Sequence, residues 1–457
     1  MVFSNLFFLY VFIPLFFICY SIFNKNIIIC LFSFIFYAWG EPIYVFLLIF
    51  SIFINYIVGL KIENANNKKT SLVIGVAINI LFLVIFKYAN FITGLLFKEN
   101  LEIYKTNIRL PLGISFYTFQ AISYIVDVYN GKVSAQKNYL NLFLYISMFP
   151  QLIAGPIVRY NTVADDIEKR FVSSSDKLYG AQKFICGLGK KVIIANQLSV
   201  IVKQFLETDI TSMSKIALIL GVIIFLFELY FDFLGYSDMA IGLGALMGFH
   251  FEENFDFPFI SKNITEFWRR WHMTLGHFFR DYVYIPLGGN RKHQVRNIIV
   301  VWFLTGVWHG ASMNFVLWGV FFAIVMVVEK YIIGNVLKKL PQIFQTIYFW
   351  IMIYISFSIF YFDDVRNLMD YAVQVVSTEN IFDLYTKNIL INNIILILIS
   401  IFFAFPLSVK FNEMLGRIIK NNTVMMIFRI IFLSFILVYS TILLIGNTSN
   451  PFLYFRF

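Results

Sequence analysis

Two histidines in apolar, aromatic surroundings are the residues of this chain best suited to chemistry. His309 follows Trp308 in the run VVWFLTGVWHGASMNFVLWG, and His272 follows Trp271 in the run FWRRWHMTL. An ionisable side chain within an apolar span is costly, so it marks a functional site by default. An imidazole, with a pKa of about 6.5, can accept the proton of an attacking alcohol, which makes general-base catalysis the chemistry that these residues could support.

Each histidine also has a plainer interpretation. His309, predicted in mid-span beside Gly306 and Gly310, could be buried and hydrogen-bonded across helices, and His272 could contact lipid head groups. A metal site is not expected, because His272 and His277 lack an accompanying acid in an HExxH arrangement and the three cysteines have no paired spacing. The G-x-S-x-G elbow of a serine hydrolase is also absent from the sequence.

A basic, aromatic segment surrounds His272. Residues 249–296 are polar and aromatic, and residues 262–296 hold seven of the 36 basic residues and three of the five histidines. The segment could be an ordinary cytoplasmic loop, but its aromatic residues at helical spacing favour amphipathic or re-entrant helices packed in the membrane. The predicted apolar face comprises Trp268, Trp271, Leu275 and Phe278. The turn Pro286–Arg291, with two adjacent glycines, exposes backbone N–H groups and could bind a phosphate or end a helix.

The elements that position these residues follow from the composition. The 457 residues are 60% hydrophobic, 19% aromatic and 14% charged, whereas a soluble protein carries about 25% charged residues. These values exclude a soluble enzyme, a disordered protein and a disulfide scaffold, and they predict an all-α, polytopic integral membrane protein. The net charge of +10 indicates basic cytoplasmic loops facing anionic lipid rather than nucleic acid.

Apolar stretches predict about 11 to 13 spans of roughly 20 residues each. They form one integral-membrane domain over residues 1–457, with a core at 110–330 and a last span and tail at 424–457. The basic segments 61–69, 159–191 and 409–420 are predicted on the cytoplasmic side, and the acidic segment 363–388 on the outer side. The carboxyl-terminal tail is then expected outside. The candidate spans are 6–23, 27–39, 43–60, 71–96, 112–128, 139–158, 180–202, 215–234, 298–328, 343–362, 389–408 and 424–446.

Several long motifs occur together and in order. They are LPLGISFY at 110–117, FPQLIAGPI at 149–157, FDF at 231–233 with GYSD at 235–238, FWRRWH at 267–272, FRDY at 279–282, IPLGGNR at 285–291 and WHG at 308–310. In this combination the chain resembles the membrane-bound O-acyltransferase family, and most of all its bacterial branch that acetylates alginate, peptidoglycan and related envelope polysaccharides. The D-alanyl transferases of teichoic acids share the Trp-His pair but fit the PLGGNR ending less well.

The resemblance implies roles for individual residues. His309 corresponds to the family's invariant histidine and would act as general base, and His272 would stabilise the developing oxyanion. The donor would be a cytoplasmic acyl thioester, either acetyl-CoA or an acyl carrier protein, with no bound cofactor. Donor-binding residues are expected to be Arg269, Arg270, Arg280, Asn290 and Arg291. Cavity residues are expected to be Trp268, Trp271, Asp281, Tyr282 and Trp308.

The chain ends FLYFRF, an F-x-Y-x-x-F pattern. It resembles the tail of the small partner subunit of the D-alanyl system, whose tyrosine accepts the acyl group. The resemblance implies that the last span and tail fold back toward the cavity and that Tyr454 is acylated, with an exoplasmic transferase as partner. The alternative is an aromatic anchor at the membrane interface.

The expected function is transfer of an acetyl group across the cytoplasmic (inner) membrane for O-acetylation of an envelope polysaccharide. One alternative is D-alanyl transfer to teichoic acid. Another, from a different class, is a transporter or flippase for a lipid-linked sugar, which would also suit a buried histidine and broken helices. Transporters usually consist of two similar halves, and the sequence contains no such repeat.

Overall fold

The chain folds into helices joined by short turns. The structure, a computed structural model, describes residues 1–23, 25–96, 108–446 and Leu453. Within these ranges the regular structure is helical throughout, which confirms the predicted all-α class. Lipid contains no water to hydrogen-bond the backbone. A chain this apolar must therefore satisfy its backbone N–H and C=O groups within each helix.

Among the described residues, seven helices are long and apolar enough to cross a membrane, and an eighth span results if a helix pair bent by 63° is counted as one. The number is smaller than the 11 to 13 spans predicted, because several apolar stretches form helices too short to cross alone. The seven are Tyr44–Asn64, Lys68–Gly94, Ser174–Glu207, Lys215–Met247, Met313–Lys339, Gln342–Tyr361 and Asn422–Gly446, and the bent pair is Leu384–Asn392 with Ile394–Ala404.

The shorter α-helices fill the bundle between these spans and supply most of the site. They are Ile13–Ile22, Lys25–Gly40, Ile114–Tyr129, Tyr139–Ser147, Phe149–Leu152, Tyr160–Glu168, Ile264–Arg270, Met273–Phe279, Gln294–His309, Val365–Ser377 and Leu407–Ile418.

The predicted span 298–328 is two helices. Gln294–His309 ends at Gly310, whose backbone is extended, and Met313–Val328 begins three residues later and packs against it. A hydropathy window detects the continuous apolar run but not the turn, because Gly310, Ala311 and Ser312 are small and only weakly polar.

The helix Lys215–Met247 is the centre of the bundle. It is buried along most of its length, and the helix Ser174–Gly189 lies against it. A Cβ atom on Gly187 would lie 2.6 Å from the carbonyl oxygen of Gly235, so glycine on both helices is what allows this close approach. Close helix pairs of this kind replace the hydrophobic driving force that lipid does not provide.

The two ends of this central helix contact segments of opposite charge. At one end the N–H groups of Lys215 and Ile216 donate to carbonyls at Asn380 and Ile381, within the acidic segment 363–388. At the other end the Tyr20 hydroxyl donates to the Met247 carbonyl, beside the basic segment that contains Arg170. A 33-residue helix is about 50 Å long, so the acidic segment 363–388 and the basic residues around Arg170 lie at opposite ends of this helix.

Candidate active site

The chain turns sharply at His272. The helix Ile264–Arg270 ends before it and the helix Met273–Phe279 begins after it, with His272 between them at φ 45° and ψ 52°. The prediction of one continuous helical face over residues 268–278 was therefore wrong. A residue other than glycine rarely adopts a positive φ, and such strain persists only where the surroundings enforce it.

Asn254 enforces this turn. Its backbone carbonyl accepts the N–H of Met273 at 2.9 Å, and its side-chain oxygen accepts the Thr274 hydroxyl at 2.9 Å and the Thr274 N–H at 3.4 Å. The same oxygen lies 3.0 Å from His272 Nδ1. One buried amide therefore binds the backbone on the far side of the turn and the imidazole at its centre.

These contacts also fix the tautomer of His272. A backbone N–H can only donate, so the Asn254 atom facing Thr274 is the amide oxygen, and His272 Nδ1 must carry the proton that it shares with that oxygen. In the neutral ring the lone pair is then on Nε2, which has no hydrogen-bond partner among the described residues. The ring therefore presents a proton acceptor.

His309 is the last residue of its helix and is not in mid-span. Its ring is buried, and Trp318 and Phe360 pack on it edge to face at centroid distances of 4.8 and 5.5 Å. The ring of Trp308 lies 5.0 Å from that of His309 and 6.0 Å from that of His272. The fold thus brings both predicted histidines to one indole, although one lies in a turn and the other at the end of a separate helix.

A cavity of about 920 Å³ opens beside His272. Arg269, Arg270, Arg280 and Trp268 line it, as the sequence predicted. The indole Nε1 of Trp268 is buried without a hydrogen-bond partner in the described part of the chain. Two residues of the lining therefore each carry a buried polar atom without a partner among the described residues, a donor on Trp268 and an acceptor on His272.

The cations around the cavity differ in whether they are already paired. Arg270 is paired with Asp256 and Glu266, and Arg280 with Asp281. The remaining three cations on the wall have no ion pair within the residues that the structure describes. These three are Arg269, Lys330 and Lys338.

Other predicted residues lie away from this cavity. Asn290 and Arg291 are outside its lining, and Asn290 instead accepts the Tyr284 hydroxyl at 2.7 Å. Trp271 packs among aromatic rings behind the wall, stacked on Phe267 at 5.3 Å. Three further predicted cavity residues are elsewhere: Trp308 lines a second cavity of about 90 Å³, Asp281 pairs with Arg159, and the Tyr282 hydroxyl donates to Asp127 at 2.8 Å.

An ionic cluster braces the segment after His272. Arg159 binds Glu252 at 2.5 Å and Asp281 at 2.9 Å, and His277 lies 3.1 Å from the second oxygen of Glu252. The hydrogen bond from His277 and the charge of Arg159 lower the pKa of Glu252 to about 2. The cluster joins three segments of the chain, and its Asp281 also pairs with Arg280 of the cavity lining.

The predicted acceptor Tyr454 lies outside the described residues. Its neighbour Leu453 is described, and the Leu453 N–H donates to Asp232 Oδ2 at 2.8 Å. Asp232 is buried halfway along the central helix and forms an ion pair with Lys191. Leu453 is therefore held beside the middle of the central helix, partly buried against the core.

Comparison with known proteins bears on these sites. Residues 81–372 match the family model of the membrane-bound O-acyltransferases (MBOAT), a range that includes both histidines and the large cavity. The chain belongs to the membrane-bound O-acyltransferase family. It is accordingly a multi-pass membrane protein of an acyltransferase family, as its sequence predicted.

Individual relatives of this family are also similar to the chain. A probable alginate O-acetylase of Pseudomonas syringae pv. tomato is 40% identical over 72% of this chain and 66% of its own length. The peptidoglycan O-acetyltransferase of Helicobacter pylori is 34% identical over 72% of this chain and 70% of its own. The teichoic acid D-alanyltransferase of Bacillus subtilis is 34% identical over 47% of this chain and 58% of its own.

Sequence reasoning missed Asn254, Lys330 and Lys338 as parts of this acyltransferase site. Asn254 is a polar residue in the aromatic run FHFEENFDFPF, which was a usable signal. The two lysines gave none, because they lie in the last part of a different span, Met313–Lys339, and reach the cavity only through the fold. In the described ranges no three His, Cys, Asp or Glu side chains are grouped so that they could hold a metal ion.

Proposed function

We propose that the chain transfers an acetyl group from a thioester on the cytoplasmic side of the inner membrane toward an envelope polysaccharide outside. The observation that carries the proposal is the placement of His272 and His309 against the same indole, that of Trp308, with His272 also lining a cavity whose wall holds three cations that form no ion pair within the described residues. The similarity to alginate and peptidoglycan O-acetyltransferases supports acetyl as the acyl group and a polysaccharide as the final acceptor.

The large cavity suits a thioester donor that carries phosphates. Arg269, Lys330 and Lys338 form no ion pair within the part of the chain that the structure describes, so a phosphate can pair with them without breaking an existing ion pair. Both acetyl-CoA and the phosphopantetheine arm of an acyl carrier protein satisfy this chemistry. The thioester end would lie toward His272, where Trp268 offers its indole N–H and His272 its lone pair.

The transfer step requires a base, because an alcohol or phenol is a weak nucleophile while it keeps its proton. His309 takes that proton as the oxygen attacks the thioester carbonyl. The C–O bond forms, the C–S bond breaks, and the departing thiolate receives a proton. General-base catalysis of this type contributes about 10²–10⁴-fold in rate. Once protonated, His272 could also donate to the oxyanion; its neutral form cannot, because Nε2 then holds a lone pair.

We further propose that Tyr454 is the first acceptor and relays the acetyl group to an exoplasmic transferase. The hydrogen bond from the Leu453 N–H to Asp232 supports this proposal, since it draws the residue next to Tyr454 into the bundle. Leu453 is partly buried against the core beside the middle of the central helix.

D-alanyl transfer is the second candidate, because the teichoic acid D-alanyltransferase of Bacillus subtilis is similar over nearly half of the chain. The D-alanyl group carries an ammonium ion that the acetyl group lacks. Competition between the acetyl and D-alanyl thioesters of the same carrier would separate the two functions.

The test uses the full chain in proteoliposomes supplied with radiolabelled acetyl-CoA or acetylated carrier protein. We expect label on the protein, located at Tyr454 by intact mass and peptide mapping, and its loss in His309→Ala and Tyr454→Phe. The matched control is His250→Ala, since the side chain of His250 is 61% exposed. Unchanged labelling in His309→Ala would overturn the assignment of the base. Labelling that persists in Tyr454→Phe would overturn the relay.

A further inference from the structure

We propose that Lys87 and Tyr88 are positioning residues for His309, holding the carboxyl end of its helix in place. The structural part of this inference stands on the contacts alone, and the catalytic part rests on the proposed function. Neither residue belongs to a motif used above, and both lie on the span Lys68–Gly94, far from His309 in sequence.

The helix Gln294–His309 ends in a way that leaves its carbonyls without the usual partners. The last four carbonyls of an α-helix have no N–H partner within the helix, and a glycine in the left-handed conformation often closes the end. Gly310 is instead extended, at φ −166° and ψ 161°. The end of this helix must therefore be satisfied from another element.

Lys87 and Tyr88 donate the hydrogen bonds that these carbonyls lack within their own helix. Lys87 Nζ donates to the carbonyls of Trp308 at 2.5 Å and His309 at 3.4 Å. The Tyr88 hydroxyl donates to the carbonyl of Val307 at 2.7 Å. Three consecutive carbonyls, including that of His309 itself, are thus bound by two adjacent side chains of another span.

The local backbone makes this arrangement possible. Consecutive residues of an α-helix point about 100° apart, so neighbours seldom serve the same target. Lys87 and Tyr88 lie in the π-helical segment Val84–Tyr88, which interrupts the regular turn of the span. Isolated π-helical turns within α-helices are frequent at functional sites.

All the hydrogen-bond donors of the Lys87 ammonium group have acceptors in the protein. An ammonium group has three donors, and its third acceptor is the hydroxyl of Ser115 at 3.3 Å. With every donor engaged by protein, Lys87 has none left for a substrate, which assigns it to positioning. A cation is also favourable at the negative end of a helix dipole, and pairing reduces the cost of a lysine within an apolar span.

By binding these carbonyls, Lys87 and Tyr88 fix the backbone position from which the His309 side chain extends. Without these contacts the last turn of the helix would fray, and the imidazole would move relative to its reaction partners. A displacement of about 1 Å in a catalytic group can cost 10²-fold in rate. The cavity proposed for the donor does not include Lys87 or Tyr88, so donor binding should be unaffected.

The kinetic experiment compares Lys87→Met, Lys87→Arg and Tyr88→Phe in proteoliposomes. The matched control is Lys69→Met, at an exposed lysine near the start of the same span. For Lys87→Met we expect a kcat about 10²-fold lower with an unchanged KM for the donor, and recovery of most of that loss in Lys87→Arg. Tyr88→Phe, which removes a single hydrogen bond, should lower kcat in the same direction and covers the case in which Lys87→Met does not fold. A wild-type kcat in a folded Lys87→Met variant, or a change in KM alone, would overturn the positioning role.

A second measurement does not depend on activity. Hydrogen exchange over residues 305–312 should be faster in Lys87→Met than in wild type or Lys69→Met, because the helix end is no longer held. Unchanged exchange there would refute the inference even if the enzyme is an acetyltransferase. Faster exchange in a protein that transfers no acyl group would instead refute the proposed function and leave the structural inference intact.

Discussion

At the scale of single residues, the backbone of His272 is the least conventional feature of the site. Its backbone is left-handed, its Nδ1 faces Asn254, and its Nε2 is buried without a hydrogen-bond partner among the described residues. The sequence motif WRRWH indicated that His272 mattered, but the tautomer depends on Thr274 and Asn254 meeting in space. Tautomers follow from hydrogen-bond partners, and partners 20 residues apart are not visible in a local pattern.

Asn254→Ala provides a test of this arrangement. Removing the amide leaves buried donors unpaired, so we expect the free energy of unfolding to fall by about 1–3 kcal/mol and kcat to fall because the imidazole can rotate. Asn79→Ala is the matched control, since Asn79 is buried and hydrogen-bonded to Asn55 away from the site. The Asn79→Ala variant should show a similar fall in the free energy of unfolding and an unchanged kcat. Equal kcat values in the two folded variants would contradict an orienting role for Asn254.

Glu252 should make stability depend on acid pH. Its pKa is about 2 in the folded protein, against 4.5 when unperturbed. A carboxyl group whose pKa is lowered on folding stabilises the protein above the unperturbed pKa, and this contribution disappears as the pH falls through the folded value. We expect the thermal midpoint of wild type to fall more steeply between pH 4.5 and about pH 2 than that of Glu252→Gln. Parallel curves for the two proteins would argue against the ionic cluster.

At the scale of elements, π-helical segments recur where charged residues meet the site. Val84–Tyr88 carries Lys87, Arg280–Tyr284 carries Arg280, and Glu329–Ile333 begins with Glu329. The carboxylate of Glu329 accepts the N–H groups of Ile264 at 2.6 Å and Thr265 at 2.9 Å. A carboxylate thus binds the amino end of one site helix and an ammonium the carboxyl end of another, as the helix dipole favours.

The hairpin of Gln294–His309 and Met313–Val328 should be intolerant of added volume. A Cβ atom on Gly306 would lie 2.3 Å from the Phe315 carbonyl oxygen and 3.1 Å from Gly319 Cα. Because these are backbone atoms, Gly306→Ala should separate the helices, displace His309 and lower both the thermal midpoint and kcat. Gly416→Ala is the matched control, because a Cβ there meets nothing within 4 Å. It should stabilise its helix by about 0.5–1 kcal/mol. A Gly306→Ala protein with wild-type kcat would show that the close approach is not required.

At the scale of the whole molecule, composition and loop charge predicted the class and the opposite placement of acidic and basic segments. They did so because lipid imposes apolar helices and the sign of loop charge follows membrane side. The helix that ends at His309 escaped prediction, since the apolar run continues through its turn. The contact of Lys87 with Trp308 escaped it too, because two spans far apart in sequence meet only in the folded bundle.

The unpaired cations at the mouth of the large cavity have a kinetic consequence. The lining holds five cations, Arg269, Arg270, Arg280, Lys330 and Lys338, against the three carboxylates of Asp256, Glu266 and Glu329. This excess of positive charge creates a potential that attracts a polyanion before contact. The Debye length falls from about 10 Å at 0.1 M salt to 3 Å at 1 M, so the capture rate of acetyl-CoA should fall steeply over that range. We expect kcat/KM for this donor to decrease with salt while kcat holds, and a weaker dependence in Lys338→Gln. A salt-independent kcat/KM would contradict this steering. If kcat/KM does decrease with salt, the rate of acetyl transfer depends on the ionic strength on the donor side of the membrane as well as on the supply of donor.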